Sequence, residues 1–158
     1  MPNVPSSADP SSRTPSLNWR LSLGLTLLGL AVSAYLAWIK LTGNTASCGP
    51  IGDCQSVNNS RYAEIGGVPI AVFGMLGYLA VLAALAIEER WPAFAETARL
   101  AGFGVSLVGT LYSAYLTYIE VAVLKAICPY CVVSAIAMTL ILILCVLRLR
   151  AAEAEGDA

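Results

Sequence analysis

The sequence predicts an all-α membrane protein: a four-transmembrane-helix bundle with an outer capping loop or half-helix. Three observations predict it. Of 158 residues, 58% are hydrophobic and 12% charged, and the mean hydropathy of +0.73 exceeds what a soluble core of this size requires. Four apolar stretches, at residues 17–41, 68–87, 98–121 and 127–147, each reach the roughly 20 residues that cross a bilayer's hydrocarbon core. The Lys and Arg residues between them fall unequally on the two sides. The expected organisation is a disordered tail over 1–16, a transmembrane domain over 17–148 and a short tail over 149–158.

Residues 1–16 carry Pro2, Pro5, Pro10 and Pro15 among Ser and Asp, a spacing that prevents a helix from settling. Trp19 and Arg20 mark an interface, and the first span runs to Trp38 and Lys40 at the far side. It is too long for the apolar part of a signal peptide and has no small-residue cleavage pattern after it, so it is expected to be retained. Residues 42–67 form the one sizeable outer loop. Within it Gly49-Pro50-Ile51-Gly52 makes a turn, and the chain after Cys54 suits a short helix lying on the bilayer, with Val57, Tyr62 and Ile65 as its apolar contacts. Gly66-Gly67-Val68-Pro69 ends that helix and starts the second span at a proline.

The turn Glu88-Glu89-Arg90-Trp91-Pro92 leads into the third span, and so short a link makes consecutive spans antiparallel neighbours. Gly74 with Gly77, and Gly109 with Ser113, let helix backbones approach. Tyr112, Tyr115, Tyr118, Tyr35 and Trp38 share one depth; an interfacial aromatic belt accounts for them, and so does a pocket for a flat ring. With four spans, Arg13, Arg20, Arg90, Arg99, Arg148 and Arg150 face one side and Lys40, Arg61 and Lys125 the other. By the positive-inside rule both termini are cytoplasmic, which puts the outer loop and the start of the fourth span on the oxidising outer face.

The formal net charge of −1 argues against nucleic acid as a partner, and the absence of histidine removes the commonest general base and metal ligand. Membrane lipid is the partner that composition does imply. Chemistry therefore rests on five cysteines, which separate by depth. Cys145 lies roughly 25 Å along a helix from Cys128, near the cytoplasmic end, where core packing is its role. The other four form two pairs on the outer side, Cys48 with Cys54 in the loop and Cys128-Pro129-Tyr130-Cys131 at the start of the fourth span.

Pro129 suits a first helical position, and a pair on a helix's first turn faces outward-pointing N–H groups that favour a thiolate. Lys125, three residues upstream of Cys128, adds positive charge. Thiol–disulfide exchange needs a mobile pair that can reach a fixed one, which this arrangement supplies. Two other readings fit the same cysteines: two stabilising disulfides in a non-catalytic scaffold, and a four-thiolate zinc site. Static bridges leave the Cys-x-x-Cys at a helix start unexplained, and zinc asks a glycine-rich loop to fix a tetrahedron. The exchange reading is the one adopted, with no metal.

The combination of Cys48 and Cys54, Ser60 six residues later, Pro69, Phe73-Gly74 and Cys128-Pro129-Tyr130-Cys131 resembles bacterial homologues of vitamin K epoxide reductase over nearly the whole chain after residue 16. The DsbB-type oxidases are less similar, because their Cys-x-x-Cys lies in the first outer loop and their second pair in the other. The resemblance implies a thiol:quinone oxidoreductase of a bacterial plasma membrane, with Cys48, Cys54, Cys128 and Cys131 catalytic. It implies that Cys131 faces a quinone, menaquinone or ubiquinone, and that Cys128 exchanges with Cys54 while Cys48 meets the protein partner. Ser60 would order the cap, and Ile70, Phe73, Tyr115 and Ala135 would stand near the ring. Ile70 and Ala135 take positions where animal members carry Asn and Tyr, which points to plain quinone reduction rather than epoxide reduction. Many bacterial members carry a fused thioredoxin-like domain; the expected partner here is a separate thioredoxin-fold, DsbA-like thiol protein.

Overall fold

A computed structural model of the chain describes residues 17–45, 48 and 52–156. The expected tail at 1–16 and the loop tip at 49–51 lie outside them. Four helices are long and apolar enough to cross a membrane, as in a multi-pass membrane protein: α1 (Leu17–Thr42), α3 (Ile70–Arg90), α4 (Ala95–Tyr118, continued to Leu124) and α5 (Pro129–Gly156). The short α2 (Cys54–Asn58) belongs to the cap. Around the bundle α1 packs on α3 and α5, and α4 packs on the same two, so the helices stand at four corners.

Lipid offers no water to a stray polar group, so buried hydroxyls in the helix interfaces turn to partners within the bundle. On α1 the fully buried hydroxyls of Ser22 and Thr26 donate to carbonyls one turn back, Asn18 O at 2.8 Å and Ser22 O at 2.7 Å. Gly29 lies directly against the Tyr78 ring, a contact that leaves no room for a Cβ. That close approach brings the buried Tyr78 across the bundle, where its hydroxyl donates to Ser134 O at 2.8 Å. Tyr78, Val81, Leu85, Met138, Ile141 and Cys145 form the core. Cys145 is buried there as its depth predicts, with Gly102 of α4 beside its sulfur.

The ends of the helices depart from the sequence reading in three places. At the end remote from Cys128, Glu88 accepts from Arg99 Nε at 2.8 Å and also pairs with Arg148. Arg148 is thus paired within the bundle, and α5 continues past residue 147 to Gly156, so most of the short tail expected over 149–158 is helical. The third crossing is longer than 98–121. It begins at a 3₁₀ turn over Pro92–Phe94 and ends in a π-helical turn over Ile119–Leu124, which Lys125 closes in the left-handed conformation at φ 51°. Ala126 N donates to Glu120 O across that end at 3.1 Å, satisfying a terminal carbonyl.

The third departure is the cap. The helix expected from residue 55 to 65 stops at Asn58, because Ser60 turns the chain back, its hydroxyl donating to Val57 O at 2.8 Å. A 3₁₀ turn (Arg61–Ala63) follows, then a hairpin of β1 (Glu64–Ile65) and β2 (Val68–Pro69), with Ile65 opposite Val68. Gly66 and Gly67, at φ 59° and 83°, supply the two left-handed residues that a tight hairpin turn demands. Proline 69 therefore ends a strand and precedes α3. Lys40 at the end of α1 fastens the cap to the bundle: its Nζ donates to Asn58 O at 2.8 Å and pairs with Glu64 at 3.0 Å.

Candidate functional site

The cap and the start of α5 meet over the four outer cysteines. Asp53 N donates to Ile127 O at 3.0 Å, and Gly52 presses so closely on Pro129 that a Cβ there would collide with its ring. These contacts pin the loop to the segment before Cys128. Asp53 also caps α2, accepting from Ser56 N at 3.0 Å and from its hydroxyl at 2.6 Å. Those two hydrogen bonds from Ser56 hold the Asp53 carboxyl below its ordinary value. Cys54 is thereby fixed as the first residue of a helix.

Cys48 and Cys54 are joined as a disulfide, while Cys128, Cys131 and Cys145 are free thiols. Cys54 and Cys128 are each 1% exposed and share a small core with Val57 and Ala126; Cys48 is half-buried at its edge. The sulfurs of Cys48, Cys54 and Cys128 all lie within 4.8 Å of one another. A cluster this tight also suits a soft metal ion, but two of its sulfurs are spent in a disulfide and offer no thiolate. What the arrangement does offer is a free sulfur beside a bond it can attack.

Cys128 stands immediately before α5 rather than inside its first turn, and its carbonyl accepts from Val132 N at 3.1 Å. Pro129 takes the first helical position. The Cys128 thiol is held below its ordinary value, chiefly by a hydrogen bond from the Cys131 side chain, with the backbone N–H groups of Cys131 and Tyr130 adding to it. Burial and the Glu120 carboxylate oppose that shift. Lys125, expected to supply the charge, is exposed, so the helix terminus and the neighbouring thiol favour the thiolate.

Cys131 opens onto an apolar-walled, partly open cavity of about 600 Å³ lined by the long helices and the cap. Ser60, Ile70, Phe73 and Cys131 line it, and so does Ile65, which faces this space and the exterior instead of packing under a helix. Two residues assigned to the ring do not line it. Tyr115 is 51% exposed on the outside of α4, because the inward face of that helix follows Val105, Gly109, Tyr112 and Leu116, and Tyr112 occupies the wall. On α5 the wall is Cys131, Ser134 and Met138, and Ala135 is turned away from it. Gly109 and Ser113, read as a helix-packing pair, likewise face the cavity, with Met138 lying 3.1 Å from where a Gly109 Cβ would be.

Glu120 is the site residue that sequence reasoning missed. It is 4% exposed inside the π-helical turn, its Oε2 accepts Cys128 N at 3.1 Å, and it hydrogen-bonds the Cys131 side chain. The pointer was present: a lone carboxylate within Ile119-Glu120-Val121, in an apolar span, signals function by default.

Comparison with known proteins accords with this geometry. The family described as Vitamin K epoxide reductase family matches residues 20–146. Thiol-disulfide oxidoreductase LTO1 of Arabidopsis thaliana is 40% identical over 110 residues, covering 65% of this chain and 29% of that protein. The chain thus spans under a third of the length of this curated relative. Since the family match takes in both cysteine pairs, the cap and all four apolar helices, the chain belongs to the vitamin K epoxide reductase family.

Proposed function

We propose that this protein is a disulfide-generating thiol:quinone oxidoreductase. It oxidises an extracytoplasmic thioredoxin-fold protein and reduces a membrane quinone, with both termini cytoplasmic and the cysteine face outside. Membership of the family makes it an oxidoreductase acting through cysteines; the substrates at its two ends are what is proposed. One observation carries the reading. The Cys128 sulfur lies within 4.8 Å of both sulfurs of the loop disulfide, while Cys131 of the same Cys-x-x-Cys opens onto an apolar cavity.

The partner's dithiol reduces Cys48–Cys54, entering at Cys48, the more accessible of the two. The loop thiols then pass their electrons to the Cys128–Cys131 disulfide through a Cys54–Cys128 bond. The reduced Cys128–Cys131 pair gives two electrons to a quinone in the cavity, and the disulfide reforms. In sum, a dithiol and a quinone become a disulfide and a quinol. The apolar wall suits a quinone ring, and Ile70 in that wall favours a plain quinone over an epoxide.

The test is turnover by the reconstituted full-length protein with a reduced thioredoxin-fold protein and either ubiquinone or menaquinone, followed by quinone absorbance and by thiol trapping of the partner. Cys131→Ala, or omission of quinone, should leave the partner reduced. Cys145→Ala should oxidise it at the wild-type rate. A protein with two static disulfides would be indifferent to quinone, and loss of turnover in Cys145→Ala equal to that of Cys128→Ala would refute the separation of the cysteines by depth.

A further inference from the structure

We infer that Glu120 is the proton carrier of the thiol–quinone step, taking the Cys131 thiol proton and delivering it to the quinone oxygen. The inference rests on the function proposed above and adds a group to its site.

Reduction of a quinone needs two protons as well as two electrons, and the cavity is walled by apolar side chains in a protein without histidine. Three of its hydroxyls are engaged elsewhere. The hydroxyls of Tyr78 and Ser134 lie 3.0 Å apart and Tyr78 is bonded to Ser134 O, while the Ser60 hydroxyl is bonded to Val57 O. Glu120 differs from Glu88, the partly buried acid at the other end of the bundle. Glu88 is neutralised by Arg99 and Arg148, whereas no ion pair among the described residues involves Glu120. No cation among the described residues holds the Glu120 carboxyl in its charged form, so it is free to take up and release a proton.

Its position is set by the fold. The π-helical turn, a distortion that concentrates at functional sites, carries Glu120 to the start of α5. There the Cys128 N–H fixes Oε2, and the titratable groups facing the carboxyl are Cys128 and Cys131. The single Cys131 thiol proton has two acceptors, the Cys128 sulfur and the Glu120 carboxylate, and all three residues border the cavity.

The step balances as follows. The Cys128 thiolate and the Cys131 thiol form an S–S bond and release two electrons to the quinone. The Cys131 proton passes to the Glu120 carboxylate and on to one quinone oxygen, and water at the outer mouth supplies the second proton. Quinol and disulfide result, and Glu120 is again ionised. While it holds the proton, Glu120 also ceases to repel the Cys128 thiolate.

The test uses the reconstituted full-length enzyme. Glu120→Gln keeps an oxygen for the Cys128 N–H and the shape of the wall but cannot carry a proton. Turnover should fall by about 10²- to 10³-fold, within the range of general acid–base groups, with the quinone KM nearly unchanged, and Glu120→Asp should recover part of it. Exchange between the loop and Cys128, followed by trapping a Cys54–Cys128 bond in the Cys131→Ala background, should not be slowed, since loss of the Glu120 charge favours the Cys128 thiolate; a merely structural role would slow it too. Wild-type kcat in Glu120→Gln, or loss of exchange in step with turnover, overturns the inference. Should the variant fail to fold, infrared difference spectra of oxidised and reduced wild-type enzyme decide: a carboxyl C=O band that changes with redox state supports it, and an unchanged carboxyl region overturns it. A wild-type enzyme that reduces no quinone fails without any variant, and overturns this inference together with the function it rests on.

Discussion

Removing the sulfur that resolves the relay should trap it. In Cys131→Ala, attack of the Cys128 thiolate on Cys54 expels Cys48, and the sulfur that would release the link by closing Cys128–Cys131 is gone. In Cys48→Ala, attack of the Cys54 thiolate on Cys128 expels Cys131, and the sulfur that would release the link by closing Cys48–Cys54 is gone. In each, only return attack by the leaving thiolate undoes the link. Both variants should accumulate Cys54–Cys128. The structure makes the reaction a short one, since the sulfurs are within 4.8 Å and must close to about 2.05 Å. It also selects Cys54, which shares a packed cluster with Cys128, over Cys48 at the edge. The native loop ring has a sequence separation of 6, worth about 2.4 kcal/mol in the chain-entropy account of disulfides. The trapped link would close a ring of about 75 residues, worth about 4.5 kcal/mol by the same account. Non-reducing peptide maps of Cys48→Ala should therefore join the outer loop to the start of α5. The same protein should resist thermal unfolding in detergent by about 4 kcal/mol more than after treatment with dithiothreitol. A Cys48–Cys128 link in Cys131→Ala would show that the loop cysteines have exchanged roles. Absence of any link in both variants would refute the relay geometry.

Two further perturbations address the scaffold and the thiolate. Gly29→Ala drives a methyl into the Tyr78 ring, and overpacking of about 1–3 kcal/mol plus the strained Tyr78–Ser134 hydrogen bond, about 1 kcal/mol, should lower the midpoint of helix loss measured by circular dichroism. An unchanged midpoint would mean that α1 and α3 do not pack as described. The Cys128 thiol is lowered mainly by the Cys131 donor, so in the reduced enzyme its alkylation by a small reagent should set in below the ordinary thiol range and rise with pH through that lowered value. Cys131→Ala should carry the onset upward; an onset that stays put would assign the thiolate to the helix terminus alone.

The sequence alone determined the four crossings, the depth of each cysteine and the pairing of a loop Cys-x₅-Cys with a helix-start Cys-x-x-Cys. These follow from linear properties: a run of apolar residues long enough for a bilayer, a proline at a first helical turn, and distance counted along a helix. Only the tertiary structure decided which face of each span looks inward. Tyr112 and Tyr115 have the same chemistry three residues apart on one helix, and Ser134 and Ala135 are adjacent, so composition could not choose between them; packing of α4 and α5 around the cavity did. The hairpin at Glu64–Pro69 turns on Gly66-Gly67, but its place against the bundle comes from Lys40 of α1 pairing with Glu64, a contact 24 residues apart in sequence. Glu120 was visible as a lone charge in an apolar run, yet its meaning came from the π-helical turn that sets its carboxyl against Cys128 and Cys131. A hydrogen bond across eight residues and a chain reversal is a fact of three-dimensional geometry, and no one-dimensional periodicity encodes it.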